Sequence, residues 1–266
     1  MRLTNQLGTI MSETIDQQTT EIVDPNQLSP EVQAALAEAA KQQSENEQSS
    51  IPFISLKGKK FTIGEDKLGT LLKVVILADV FDHSWYDRPY DPSSDEVFPP
   101  ACFAIGDEVA AMEPHTDSPV PQSDVCDGCP KNEFGSALQG KGKACRNGRR
   151  ILIASVAEDN SVNFGDLAII NMSPTALRGF SKYVKSIATI KRLPLWSVVT
   201  VLGFDEDSAY PVLTAGYHDI VRGADIEVIA KRLPEFKKEV SRPYDTSNYE
   251  APGDVAAKET KKSKMS

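Results

Sequence analysis

Hydrophobic positions along the chain follow mostly a short period. Runs rich in β-branched residues, bounded by Gly, Asp, Asn or Pro, fall at residues 71–80 (LLKVVILADV), 150–157, 167–171, 196–204 and 210–216. Such runs predict strands. One stretch has clear helical spacing: Leu177, Phe180, Val184, Ile187 and Ile190 recur every three or four residues. Ser173 stands there as N-cap, Pro174 opens the first turn, and Leu193 with Pro194 ends it. A second helical stretch is expected at about residues 224–232. Ser29 and Pro30 read as the N-cap and first-turn proline of a short Ala-rich helix over residues 30–42.

Short strands, one well-marked helix and a long irregular insertion predict a mainly β (α+β) fold. A small OB-like Greek-key barrel fits best, with a sandwich as the alternative. Trp196, Phe180 and Tyr183 are expected to pack in the core. The insertion, residues 82–148, is rich in Pro, Gly, Asp and Ser and too long for an ordinary loop in a compact domain. Something must hold it, and all four cysteines of the chain lie inside it.

Three segments follow. Residues 51–244 form the predicted core with its insertion. Residues 1–50 are expected to be a mobile acidic arm: between positions 12 and 50, eight acids stand against Lys41 alone, and large apolar side chains are few. Much of the net charge of -9 therefore sits in that arm, and the remainder is closer to neutral. Residues 245–266 read as a flexible tail carrying Lys258, Lys261, Lys262 and Lys264. Met11 opens a more ordinary beginning than Met1, so the first ten residues are set aside from fold reasoning. Neither a membrane-length apolar run nor a secretory leader is visible, so the expected setting is the cytoplasm.

A reducing compartment disfavours disulfides and leaves thiolates free to hold metal. Cys126 and Cys129 form a CxxC pair whose two-residue gap lets both sulfurs reach one tetrahedral zinc at about 2.3 Å. Cys145 follows after fifteen residues and Cys102 precedes by twenty-three. These four are the expected ligands of a structural Zn2+. His115 is the alternative fourth ligand, with Cys102 then a small buried hydrophobe. A thioredoxin-like redox pair is disfavoured, because no apolar helix of a βαβ unit follows the CxxC.

Lys131, Lys141, Lys143, Arg146, Arg149 and Arg150 cluster around the last two cysteines, opposed only by Glu133. Single-stranded nucleic acid is held by cations for the phosphates and aromatic faces for the bases. Trp85, Tyr86 and Tyr90, beside Arg88, supply aromatic faces at the start of the same insertion, and Phe134 supplies another.

The segments PPAC, CDGCPKNEFGS and GKGKACRNGRR, followed by ILIAS, resemble a group of tailed-bacteriophage single-stranded-DNA-binding proteins. The resemblance is specific over residues 99–153. It implies an OB-like core with a zinc-bearing insertion, Cys102 among the ligands, a basic motif on Lys141, Lys143, Arg146, Arg149 and Arg150, and a role in phage DNA replication or recombination inside an infected host. It implies no catalytic residue.

The expected function is thus non-catalytic, sequence-tolerant binding of single-stranded DNA. The acidic arm would either compete for the basic groove or meet replication or recombination proteins. The alternative is a zinc-stabilised protein-interaction or transcription-regulatory module. An enzyme is not expected, since no HExxH, P-loop or distinct carboxylate cluster occurs and the only histidines are His83, His115 and His218.

Overall fold

The computed structural model describes residues 29–36, 51–88, 98–138 and 140–251. The chain divides into two units, residues 1–50 and 51–266. In the first, residues 30–36 form helix α1, opened by Ser29, whose Oγ accepts the Val32 amide at 3.4 Å. The rest of that expected helix, and most of the acidic arm, lie outside the described residues.

The second unit begins with a hairpin of β1 (Phe61–Ile63) and β2 (Asp66–Gly69). β3 (Leu72–Trp85), β4 (Cys102–Gly106), β5 (Arg146–Val156) and β6 (Val162–Met172) follow. Helix α2 (Pro174–Ser186) leads to β7 (Val198–Phe204), β8 (Leu213–Ile220) and helix α3 (Gly223–Val240). The large sheet is antiparallel throughout, ordered β6-β5-β3-β7-β8, with β4 on the far end of β3. In the order β7-β3-β5-β6, the chain returns after α2 so that β7 lies beside β3, on the side away from β5. The fold is mixed α+β with a β core. Among the described strands β8 does not pair with β6, so the sheet is open and the expected closed barrel is not formed.

β3 explains the arrangement. Its first half, Leu72 to Val75, pairs with β7; its last residues, Phe81 to Trp85, pair with β4 on that same side. β5 runs along its other side from Val74 to Ser84. One strand thus serves both the core sheet and the base of the insertion.

The sheet is covered on both faces. On one, Ile76, Ile151, Ile153, Ile170 and Leu202 pack with Phe180, Tyr183 and Ile187 from α2 and the turn after it. On the other, Val75, Leu77, Leu152, Ala154 and Val199 meet Ile229, Phe236 and Val240 of α3. Burial on this scale, roughly 1.5–3 kcal/mol per large apolar side chain, is the main term holding the layers together. Phe180 and Tyr183 are core residues as expected, and Trp196 is partly buried against the α3 side.

Several expected boundaries shift. β3 runs five residues past Val80, and β5 begins at Arg146 rather than Arg150, because polar residues at both ends pair with each other inside the supposed loop. The second helix continues to Val240 through Pro234. Ser173 occupies the N-cap of α2, but its hydroxyl meets Thr175 Oγ1 at 2.8 Å instead of capping the helix.

Candidate metal centre and nucleic-acid interface

Register places the cysteines. Cys102 lies opposite Trp85, and Ala104 and Asn147 flank His83 on its two sides. Directly paired residues of antiparallel strands share a face, and alternate residues along a strand share it too. Cys102, Ala104, His83 and Trp85 therefore point to one face. Cys145 precedes β5 and is anchored by its amide, which donates to Lys131 O at 2.7 Å. The Cys126–Cys129 pair arrives from the insertion: the Cys126 amide donates to Met112 O at 2.9 Å, and Gly128, at φ +74, makes the knuckle turn that a side chain would strain.

All four cysteines line one small cavity together with His83, Trp85, Gln122, Lys131 and Asn132. Its volume is about 20 Å³, the space of one water-sized particle. Burial, then the neighbouring thiols, push Cys126 up to about 11 and Cys145 to about 12. Burial also raises Cys102, partly offset by a backbone hydrogen bond at Gln122. Each of these three is coupled electrostatically to Cys129, so the four sulfurs are within one another's field. Among the described residues, however, no three His, Cys, Asp or Glu side chains stand in a coordinating arrangement. The donor set is gathered around one cavity without being drawn onto a point. Four thiols around a space of atomic size are chemically suited to a soft, tetrahedral cation such as zinc.

His115 does not line this cavity. Its Nδ1 accepts the Asp117 amide at 3.1 Å, and its ring stacks on Phe103 with centroids 5.1 Å apart. A different histidine does line it: His83 is 3% exposed, its Nδ1 has no hydrogen-bond partner, and burial lowers its pKa against the opposing pull of Asp82.

The basic and aromatic residues divide into three groups. At the cavity rim, Lys131 Nζ sits 4.9 Å from the centre of the Trp85 ring, and Lys143 Nζ sits 5.2 Å from that of Phe134. Asn132 ties the pairs to the knuckle: its Nδ2 donates to Cys126 O at 2.9 Å while its Oδ1 accepts from Lys143 Nζ at 3.0 Å. Phe134 is 83% exposed, and Lys141, seven residues on, is exposed too. Arg146 is exposed but pairs with Ser84, which puts it on the other face from Trp85.

The second group lies under the C-terminal segment. Arg88 donates to the Glu250 carbonyl and to Asp87, and stacks on Phe98 at 4.1 Å. Tyr249 Oη donates to Asp87 at 2.5 Å. Tyr86 is exposed and within the field of Asp82 and Arg146, on the opposite face from Trp85.

In the third group Arg150 is internal and leaves the expected phosphate-binding set, while Arg149 is partly buried. Arg150 is 1% exposed; its Nε donates to Asp82 Oδ2 at 3.1 Å and its Nη1 to Arg242 O at 2.6 Å, with the Tyr244 ring 4.2 Å away. Burial alone would lower its pKa, but Asp82 and Tyr244 raise it and keep the guanidinium charged. Arg149 is paired with Asp79 and lies between the rings of Phe81 and Phe180. Both arginines fall within β5, where the register directs them onto the sheet faces. Tyr90 lies outside the described residues.

Asp82, His83, Asn132 and Tyr244 were not expected as site residues. Asp82 and His83 continue the alternation of β3, a signal that the adjoining polar residues obscured.

Compared with known protein families, with curated proteins and with solved structures, the chain finds no match. Among the described residues no helix is long and apolar enough to cross a membrane.

Proposed function

We propose that this protein binds single-stranded DNA without sequence preference and without catalysis, at the rim of a zinc-stabilised insertion. The observation that carries this reading is the repeated pairing of an ammonium with an aromatic face, Lys131 on Trp85 and Lys143 on Phe134, around one thiol-lined cavity. Phosphates would draw the lysines off the rings, and bases would take their place on the faces, each stacked base contributing about 1–3 kcal/mol.

Cys102, Cys126, Cys129 and Cys145 would hold the metal. Bound zinc supplies cross-linking rather than chemistry: it fixes knuckle, β4 and β5 to one another, so that less entropy is lost when the rim takes up a flexible polyanion.

The strand order supports an OB-type reading of the core, in which β3, β5, β6, β7 and β8 act as five strands with a helix before the fourth, and the insertion is the loop joining the first two. In that fold the loops joining strands one to two and four to five contact oligonucleotides, together with the face of strands two and three. Here α3 covers one face of β3 and β5, which directs a strand to the insertion end. A role in phage replication or recombination, in the cytoplasm of an infected host and with protein partners on the acidic arm, completes the proposal.

Fluorescence anisotropy of labelled single- and double-stranded oligonucleotides over a salt series, with native and metal-stripped protein, is the test. The expected result is preference for single strands, steep weakening with salt and loss of affinity after stripping. Absence of salt-sensitive binding overturns it. The exposed apolar tip of the insertion, Phe134 with Leu138 at 88%, favours the second reading, a zinc-stabilised protein-docking module, in that event.

A further inference from the structure

His83 is the polar group of the thiol cavity that the ligand set leaves unused. It sits on β3 between Ala104 and Asn147, lines the same cavity as the four cysteines, and is 3% exposed. Its Nδ1 is fully buried and meets no protein donor or acceptor. A buried ring nitrogen left unpaired is costly, because it has given up water and gained nothing in return.

The cavity has a complementary need. A divalent ion held by four thiolates carries two net negative charges in a buried place, which is tolerated when hydrogen-bond donors reach the sulfurs. Among the cavity-lining side chains, Lys131 lies over Trp85, and Asn132 donates its Nδ2 to Cys126 O while its Oδ1 accepts from Lys143 Nζ. His83 is the lining side chain whose buried polar atom is unpaired.

We infer that His83 is a positioning residue of the metal centre, its Nδ1–H donating a hydrogen bond to a metal-bound thiolate while four cysteines complete the coordination. This rests on the metal reading above and adds to it a residue outside the expected ligand set. The contact would lock the floor of the cavity, β3, to the ligands carried by β4, β5 and the knuckle.

The test uses the full chain loaded with zinc, cobalt or NMR-active cadmium. His83→Phe should still bind one metal with the charge-transfer spectrum of four thiolates when cobalt is the probe. It should release zinc to a chromogenic chelator on the order of 10- to 100-fold faster than the parent. His83→Gln, which keeps an N–H donor, should recover much of the difference. In the cadmium-loaded parent, the ring N–H of His83 should resist exchange and show coupling to the metal, a readout that needs no variant. Equal release rates in parent and His83→Phe, or a ring proton without metal coupling, overturn the inference. A parent spectrum of three thiolates and one nitrogen that changes in His83→Phe overturns it too, because His83 is then a ligand. Failure of the parent to hold any metal overturns the reading beneath it instead.

Discussion

The hydroxyl of Tyr244 donates to Asp82 Oδ2 at 2.6 Å, fastening the C-terminal segment to β3. The same oxygen receives Arg150 Nε at 3.1 Å, and Arg150 Nη1 reaches Arg242 O at 2.6 Å. Three segments distant in sequence, carrying Asp82, Arg150, and Arg242 with Tyr244, thus share one polar cluster beside the insertion.

The cluster is structural, and its variants should separate from those of the rim. Arg150→Met leaves Asp82 buried without its cationic partner, with Tyr244 its one remaining donor in the cluster, and should destabilise the fold by about 3–5 kcal/mol. Tyr244→Phe removes one donor and should cost about 1–3 kcal/mol. Denaturant titration checks both, and the slope of DNA affinity against salt should be unchanged in whichever variant remains folded.

Lys141 and Arg146 are exposed and carry no such burden. Lys141→Gln and Arg146→Gln should each remove about one phosphate contact, lowering the log–log salt slope by about 0.7 on single strands. Thermal midpoints measured alongside should move little.

Phe134 presents most of its ring to solvent. Phe134→Ala should leave stability almost untouched and weaken single-strand binding by about 1–3 kcal/mol, roughly 5- to 150-fold. Anisotropy at constant salt reads the change, and unaltered affinity would remove Phe134 from the interface.

Metal and pH should act in opposite directions. In the metal-free protein burial, reinforced by the neighbouring thiols, raises Cys126 to about 11 and Cys145 to about 12 from 9.0. The folded state therefore holds these protons more tightly than the unfolded chain. Its stability should be complete below 9.0 and should fall as pH rises through about 11 to 12. Zinc must displace the same protons, so metal retention should weaken as pH falls. Thermal melts of stripped and zinc-loaded protein across pH should show the first losing stability on the alkaline side and the second on the acid side.

Much of the core was legible because its strands alternate or run apolar: all but the first residue of the run 71–80 falls within β3, residues 167–171 fall within β6, and the helix opened by Pro174 is where the spacing put it. The insertion was less legible, since pairing decides its structure. Cys102 to Gly106 becomes β4 because β3 extends beside it, and RNGRR becomes strand for the same reason. Charge misled at Arg150, where a basic run suggested surface and the sheet period turned the side chain inward; Arg149 beside it is partly buried against Asp79. The hairpin of β1 and β2 had too few residues to display a period.

Gly148 lies opposite Asp82, where an added Cβ would come within 2.7 Å of Met172 O. That position admits no bulk, so β6 can press against β5 at the level where the core ends and the cysteine-bearing end begins. With β3 continuous across this level there is no hinge between the two regions, and strain introduced at one will be shared by the other. Loosening of the cysteine end should consequently appear as faster amide exchange deep in the sheet.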